Sequence, residues 1–323
     1  MQARRWRRVV RSVLAAVLVV VLAGCLDPAP DGPEPRHGPT VRFLAVGDTG
    51  TGGDAQYGVA DAMGEVCARR GCDLVLLLGD NFYELGVTGV DDPQFQSKFE
   101  VPYAGLDVPF YPVLGNHDYG RGAGEAWRGG AQVDYTDHSD RWTMPARYHA
   151  FEVGPVRFLA LDSGPAWVHG TPGQVDGDEV ARQRAWLADA LSGSDATWNV
   201  TFAHHPYRSN GVHGDAGSFD GVAGRGAAWG ALLESACADI DLHLAGHDHD
   251  LQWLEPAGAC PATELVVSGA GARQRERGDN DHPARFERYD TYGFAWLEAT
   301  QEAMTVAFYD GTGRLLHEGV VPA

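Results

Sequence analysis

The chain has 323 residues, with 25 Lys and Arg residues against 44 Asp and Glu residues. Since the first 24 residues hold five Arg and no acidic residue, the rest of the chain carries 20 basic and 44 acidic side chains, a net charge of −24. Such an acidic surface repels the phosphates of nucleic acids, so we expect no nucleic-acid partner, and a hydrophobic content of 44% over this length excludes a mostly disordered chain.

The first 24 residues have the pattern of an export signal. Five Arg residues precede an apolar run of eleven residues from Val13 to Ala23, which is too short to span a bilayer. The following Gly24-Cys25 resembles the end of a bacterial lipobox. We therefore expect residues 1–24 to be a lipoprotein signal peptide, Cys25 to carry a lipid anchor, and residues 25–40 to form a flexible tether. The protein would then be exported and membrane-anchored, facing the periplasm or the cell exterior. The alternative is an ordinary secretory signal, cleaved near Ala23.

From Thr40 onward, short apolar runs alternate with amphipathic stretches, a pattern that predicts buried strands joined by helices. Strands are predicted at Val41–Val46, Leu74–Leu78, Phe110–Leu114, Val156–Leu161, Val200–Ala203 and Leu242–Ala245. Helices are predicted at Ala55–Arg69, Val180–Leu191 and Ala227–Cys237. After Glu264 the pattern is mostly β, with strands at Leu265–Val267, Phe294–Ala299, Met304–Tyr309 and Leu315–Val321. Two sheets packed face to face between helices would account for this order. The segment from Gly120 to Pro145 has no clear periodicity and is predicted to be a loop or insertion.

Four Cys residues remain once Cys25 is set aside, an even number in a compartment that permits disulfides. They are Cys67, Cys72, Cys237 and Cys260. Three pairings are possible, and sequence distance favours the local pairs Cys67–Cys72 and Cys237–Cys260.

Polar side chains follow five of the predicted strands. The five segments are Gly47-Asp48-Thr49-Gly50, Gly79-Asp80-Asn81-Phe82-Tyr83, Gly115-Asn116-His117-Asp118, His204-His205-Pro206 and Gly246-His247-Asp248-His249. Sites in open α/β sheets assemble at the carboxyl ends of strands, so these groups could converge in one crevice. A Gly-Asp pair alone can be an Asx turn, and Asn116 alone could cap a helix. Five such segments in one chain indicate a shared site instead. His247 and His249 flank one residue and would project to the same side in extended backbone.

These donors, two Asp, an Asn, several His and a Tyr, suit Fe, Mn or Zn rather than a soft metal. Asp80 is the natural bridge between two cations, and metals about 3.5–4 Å apart can hold both the attacking and the leaving oxygen of a phosphoryl transfer. The pKa of a free phenol is about 10, so Tyr83 becomes a ligand only beside a strongly Lewis-acidic cation. The presence of Tyr83 therefore favours trivalent iron.

The motifs resemble those of the metallophosphoesterase superfamily, and specifically the small, tartrate-resistant type of purple acid phosphatase. The matching strings are GDTG, GDNFY, GNHD, AHHP and GHDHDLQWL, followed by VVSGAGA from Val266. The resemblance extends from about residue 41 to the C terminus and implies a single catalytic domain over residues 41–323. It also implies a four-layer α/β/β/α sandwich of two mixed β-sheets, the calcineurin-like fold.

The resemblance further implies the role of each site residue. Asp48, Tyr83 and His249 would bind a ferric ion, and Asp80 would bridge to a second, divalent metal (Fe, Zn or Mn). The second metal would be held by Asn116, His204 and His247, with His204 rather than His205 as the ligand of the AHHP string. His117 and His213 would contact the phosphate and the leaving group of the substrate.

The expected activity is hydrolysis of small phosphomonoesters, as in an acid phosphatase, with a metal-bound hydroxide as nucleophile in a monomeric protein. The alternatives are a phosphodiesterase or nucleotidase on the same scaffold, and a surface module that binds phosphate or metal without turnover. Tyr83 and the absence of an Asp-x-His first motif argue against the diesterase. Thr49 stands where the small enzymes usually have Trp, and His205 where Tyr is common, so these positions leave substrate preference open.

Overall fold

The computed structural model of the chain describes residues 38–121, 125–164 and 177–323. The expected signal peptide, Cys25 and residues 25–37 of the expected tether lie outside these ranges. None of the helices within the ranges has the length and hydropathy of a membrane span.

Thirteen strands of the described residues form two mixed sheets. They are β1 (Val41–Val46), β2 (Leu74–Leu77), β3 (Phe110–Pro112), β4 (His149–Val153), β5 (Val156–Ala160), β6 (Trp198–Phe202), β7 (Leu242–Ala245), β8 (Leu251–Leu254), β9 (Glu264–Ser268), β10 (Ala284–Arg288), β11 (Gly293–Ala299), β12 (Ala303–Asp310) and β13 (Leu315–Pro322). The first sheet has the order β13-β12-β11-β1-β2-β3, and the second has the order β10-β8-β9-β7-β6-β5-β4. Strands β1, β2 and β3 run parallel, as do β5, β6, β7 and β9.

Four α-helices of the described residues cover the outer faces of the sheets. They are α1 (Asp54–Arg70), α2 (Trp127–Asp134), α3 (Gly177–Ser192) and α4 (Ala227–Glu234). Helices α1 and α2 pack on the first sheet, and α3 and α4 pack on the second. Successive side chains of a strand point to opposite faces, so Phe43 of β1 contacts the other sheet while Leu44 faces the helices. The ring of Phe43 meets Phe158 of β5 edge to face, with centroids 5.0 Å apart. The predicted four-layer α/β/β/α sandwich is confirmed.

Every predicted strand and helix is present, and the structure adds elements that the sequence did not reveal. Strands β4, β8 and β10 were missed. The prediction of a loop for Gly120–Pro145 is wrong, because this segment contains helix α2. The helix has eight residues, and Gly129 and Gly130, which are poor helix formers, obscure its periodicity. The helix is stabilised by burial of Gln132. The backbone carbonyl of Gln132 accepts a hydrogen bond from the Trp142 indole N–H at 2.8 Å.

Both local disulfides are present, as predicted. The Cα atoms of Cys67 and Cys72 lie 5.1 Å apart and join the end of α1 to the start of β2. Those of Cys237 and Cys260 lie 5.4 Å apart and join the segment after α4 to the loop after β8.

Candidate metal centre

Five loops carry the predicted site, and they follow β1, β2 and β3 of the first sheet and β6 and β7 of the second. The two sheets approach each other closely at these loops. A Cβ atom on Gly79 would lie 2.7 Å from Nδ1 of His204, and one on Gly246 would lie 2.7 Å from Oδ2 of Asp48. Glycine therefore precedes Asp80 and His247 because no larger residue fits where the loops cross.

Three of the predicted ligands form a first cluster, which consists of Asp48, Tyr83 and His249. The Tyr83 hydroxyl donates to Oδ1 of Asp48 at 2.8 Å. Nε2 of His249 lies 3.3 Å from the Tyr83 hydroxyl and 3.3 Å from Oδ1 of Asp48. All three side chains are buried. A carboxylate oxygen, a phenol oxygen and an imidazole nitrogen therefore point at one small volume.

Three other predicted ligands form a second cluster, which consists of Asn116, His204 and His247. Nε2 of His204 lies 3.0 Å from Oδ1 of Asn116 and 3.2 Å from Nδ1 of His247. The far nitrogen of His204, Nδ1, lies 2.9 Å from the carbonyl oxygen of Leu78, which fixes the ring orientation. Asn116 precedes a short 3₁₀ turn without capping it through its side chain, so its amide is available to the cluster.

Asp80 lies between the two clusters. Its Oδ1 is 3.5 Å from Nε2 of His204 in the second cluster. One donor atom each from Asp48, Asp80 and His204 lie within 4.8 Å of one another, so Asp80 is also next to the first cluster. The backbone N–H of His117 donates to Oδ1 of Asp80 at 2.9 Å and holds this carboxylate in place. The Asp80 carboxylate is therefore within reach of both clusters.

The electrostatics of the clusters fit cations. Burial alone would raise the pKa of Asp48, but its hydrogen bond with His249 and the charge of His204 lower it. Burial, together with the charges of Asp48 and Asp80, raises the pKa of Tyr83 well above its ordinary value. Burial lowers the pKa of His247 well below its ordinary value, so its imidazole stays neutral and able to ligate. Two buried carboxylates beside the neutral imidazole of His247 make a donor set that two cations would neutralise.

The two predicted substrate histidines lie beside the clusters. The ring centroids of His117 and Tyr83 are 4.6 Å apart, and Nε2 of His117 is 3.9 Å from Oδ2 of Asp80. The ring of His213 is tilted against that of His247, with centroids 4.3 Å apart. Both histidines are partly exposed. The structure thus brings all nine predicted site residues together.

One expectation about these residues is wrong. His247 and His249 are not in extended backbone, because His247 has a φ of +70° and the segment bends. The bend directs His247 to the second cluster and His249 to the first, so the pair serves both clusters rather than one.

Asp118 belongs to the site but was not predicted from the sequence. Its buried carboxylate accepts backbone N–H groups of Gly115, Asn81 and Phe82 at 2.8, 3.1 and 3.1 Å. The side-chain amide of Gln132 donates to it at 2.8 Å. Burial, with the neighbouring charge of Asp80, raises the pKa of Asp118 to about 6. Asp118 therefore joins the loops after β2 and β3, which carry Asp80 and Asn116. Its place in the GNHD string was visible in the sequence, but this role was not.

Three residues of the rim were also missed as neighbours of the site, and His205, which the sequence linked only to substrate preference, lies beside the second cluster. Nδ1 of His205 lies 2.8 Å from the Ser163 hydroxyl, next to the second cluster. The rim residues are Glu84, Arg273 and Arg275. No motif pointed to them, because their contacts join segments that lie far apart in the chain.

The chain is similar to known phosphatases. Residues 41–251 match the family model described as calcineurin-like phosphoesterase. The chain is 31% identical to purple acid phosphatase 7 of Arabidopsis thaliana, covering 86% of this chain and 85% of the relative. It is 28% identical to tartrate-resistant acid phosphatase type 5 of Homo sapiens, covering 88% and 91%.

Solved structures share the fold. GAP50, the anchor in the inner membrane complex of Plasmodium, matches with a TM-score of 0.67 and 19% identity, covering 88% of this chain and 89% of that one. PhoD matches with a TM-score of 0.59 and 16% identity, covering 88% and 73%. At these identities the likeness supports the fold alone.

Proposed function

The chain belongs to the calcineurin-like phosphoesterase family and to the purple acid phosphatases within it, and we propose that it hydrolyses phosphomonoesters at a dinuclear metal centre. One observation carries the proposal. Asp48, Tyr83 and His249 converge on one volume, Asn116, His204 and His247 converge on a second, and Asp80 lies between them.

The first cluster would hold a ferric ion and the second a divalent ion, Fe, Zn or Mn. The buried, high-pKa phenol of Tyr83 supports this choice, because such a phenol ionises only beside a strong Lewis acid. The imidazoles and amide of the second cluster suit a divalent ion. Two bound cations would stabilise charge on the phosphoryl oxygens and lower the pKa of a water molecule that attacks phosphorus.

His117 is the residue suited to protonate the leaving alkoxide. Its Nδ1 lies 2.8 Å from the carbonyl oxygen of Glu84, which can only accept, so Nδ1 carries the hydrogen. Nε2 is then the nitrogen that can deliver a proton to the leaving oxygen.

His213 is suited to bind the phosphate. Its Nδ1 lies 2.5 Å from Oδ1 of Asp220, and Arg225 holds the other oxygen of that carboxylate at 2.7 Å. The hydrogen bond from His213 lowers the pKa of Asp220, which remains ionised. Asp220 thereby fixes the orientation of the His213 imidazole next to His247, where a phosphate oxygen would bind.

The test compares an alkyl phosphomonoester with its diester analogue and includes His117→Ala. The metal-loaded protein should hydrolyse the monoester much faster than the diester. His117→Ala should lower kcat for the alkyl monoester by about a hundredfold and should lower it less for an aryl ester with a good leaving group. The exposed His138 supplies the control, and His138→Ala should leave both rates unchanged. A preference for the diester would favour the phosphodiesterase instead, and full kcat in His117→Ala would refute the acid role.

The proposal extends to the location of the protein. The Arg-rich start, the short apolar run and Cys25 support export as a lipid-anchored protein facing the periplasm or the cell exterior, which we propose to be a monomer. The two disulfides agree with a compartment outside the cytoplasm. Mass spectrometry of the mature N terminus should find diacylglycerol on Cys25, and Cys25→Ser should release the protein from membranes. A mature chain that begins near Ala23 without lipid would contradict the anchor. Sedimentation analysis of the released protein tests whether it is a monomer.

A further inference from the structure

The loop between β9 and β10 brings two arginines to the first cluster. The guanidinium carbon of Arg273 lies 3.7 Å from the centroid of the Tyr83 ring, and the same guanidinium pairs with Glu84. Nε of Arg275 donates to Nδ1 of His249 at 3.2 Å. Because Nε2 of His249 faces the first cluster, the Arg275 guanidinium lies one imidazole ring away from the donor atoms of that cluster.

Arg275 differs from the next arginine of the loop in its charge partners. Arg277 lies 2.8 Å from a carboxylate oxygen of Asp281 and 3.4 Å from one of Glu287. Over residues 38–121, 125–164 and 177–323, no carboxylate lies within ion-pair distance of Arg275, which is exposed. The chain after residue 24 has a net charge of −24, so the guanidinium of Arg275 is a local cationic group on an acidic protein.

Arg273 is only partly neutralised. Its partner Glu84 has a side chain that is 63% exposed, and an exposed ion pair of this kind contributes little stability. An anion arriving at the centre can therefore compete with Glu84 for the Arg273 guanidinium.

The rest of the Arg275 guanidinium has no partner among the described residues. The one hydrogen bond of this side chain runs from Nε to His249. The N–H groups on its two terminal nitrogens are therefore available to a ligand in solution.

The geometry points to a second anion-binding subsite, formed by Arg273 and Arg275, which binds an anionic group on the leaving alcohol of the substrate. The preferred substrates are phosphomonoesters whose alcohol carries a carboxylate or a second phosphate. This inference rests on the proposed function and leaves its chemistry unchanged. Water adds to phosphorus, the ester P–O bond breaks, and the alcohol leaves with a proton. Guanidinium groups bind carboxylate and phosphate through paired hydrogen bonds, which explains arginine at these positions.

The test measures kcat/KM for ethyl phosphate and for phosphoglycolate, which differ mainly by the carboxylate. The metal-loaded wild type should prefer phosphoglycolate. In Arg275→Gln the ratio of the two kcat/KM values should fall about tenfold, and Arg273→Gln should act in the same direction. Glu84→Gln should raise the ratio, because it removes the competing carboxylate from Arg273. The matched control is Arg277→Gln, which removes the same charge from the same loop and should leave the ratio unchanged.

A second measurement does not depend on turnover. Calorimetric binding of methylenediphosphonate should weaken about tenfold in Arg275→Gln relative to Arg277→Gln, while binding of inorganic phosphate should weaken less. If both arginine variants keep the wild-type ratio while ethyl phosphate is hydrolysed, the subsite is overturned and the proposed function stands. An equal loss for both substrates in Arg275→Gln would likewise overturn the subsite, because it would mean that Arg275 only positions His249.

If the loaded wild type hydrolyses neither ester, the proposed function fails independently of the subsite. The calorimetric measurement then decides the subsite. Weaker binding of methylenediphosphonate in Arg275→Gln than in Arg277→Gln supports it, and equal binding overturns it.

Discussion

Replacement of Asp118 by Asn should weaken both the fold and the metal centre. The Asp118 carboxylate accepts hydrogen bonds from five N–H groups, none of which can act as an acceptor. The longest comes from the side-chain amide of Asn81, 3.4 Å from Oδ2. Gly115 and Asn81 donate to Oδ2 at 2.8 and 3.1 Å, and Phe82 and Gln132 donate to Oδ1 at 3.1 and 2.8 Å. In the variant one oxygen becomes an amide nitrogen, so two buried donors lose their acceptor. Each such loss costs about 1–3 kcal/mol. Relief of the repulsion between Asp118 and Asp80 offsets part of this, and we expect a net loss of about 3 kcal/mol.

Urea unfolding of the metal-free Asp118→Asn protein measures this loss directly. The loops that carry Asp80 and Asn116 should also loosen, so metal affinity should fall by about tenfold or more. The control is Asp134→Asn at the exposed end of α2, which should change the unfolding free energy by less than about 0.5 kcal/mol. A loss below about 1 kcal/mol in Asp118→Asn, with unchanged metal affinity, would refute the reasoning that the carboxylate joins the two loops.

Three further changes test other parts of the structure. Burial lowers the pKa of His243 to about 4, below its ordinary value of 6.5, so the unfolded chain binds the extra proton as pH falls. The stability that neutral His243 contributes should therefore fall by about 3 kcal/mol between pH 6.5 and 4. His243→Gln should accordingly lose less stability than the wild type over this range in denaturant unfolding, and parallel profiles would contradict this. The Cys237–Cys260 disulfide closes a loop with a sequence separation of 23, and replacing both cysteines by Ala should lower the unfolding free energy by about 3 kcal/mol. The melting temperature should fall accordingly, and an unchanged melting temperature would argue against a stabilising role. Asp80→Ala should lose metal from both clusters. If elemental analysis still finds two metals per chain in this variant, Asp80 is not a bridging ligand.

The sequence predicted which side chains converge, because each lies in a compact string that follows a short apolar strand. The carboxyl ends of neighbouring parallel strands lie at one edge of a sheet. Residues that follow successive strands in the sequence are therefore close together in the structure. Asp48 and His249 are 201 positions apart in the sequence, yet each follows the end of a predicted strand.

The features that the sequence did not reveal depend on contacts without a local pattern. Helix α2 is short and contains two glycines, so its stability comes from burial against the first sheet rather than from propensity. Strand β10 is an edge strand with partly exposed and charged residues, so no apolar run marks it. Arg273 and Arg275 reach the centre from a loop, and nothing in their neighbourhood in the chain distinguishes them from the paired Arg277.

A visible absorption spectrum of the purified protein, with metal analysis of the same sample, tests the dinuclear centre most directly. The protein should hold about two metals per chain, including iron, and show a broad band from the phenolate of Tyr83 to ferric iron. Tyr83→Phe should lose this band, while Tyr57→Phe, which removes the hydroxyl of a half-buried tyrosine in α1, should keep it. A colourless protein that holds two zinc or manganese ions would contradict the ferric assignment, and a protein that binds no metal would contradict the dinuclear centre itself.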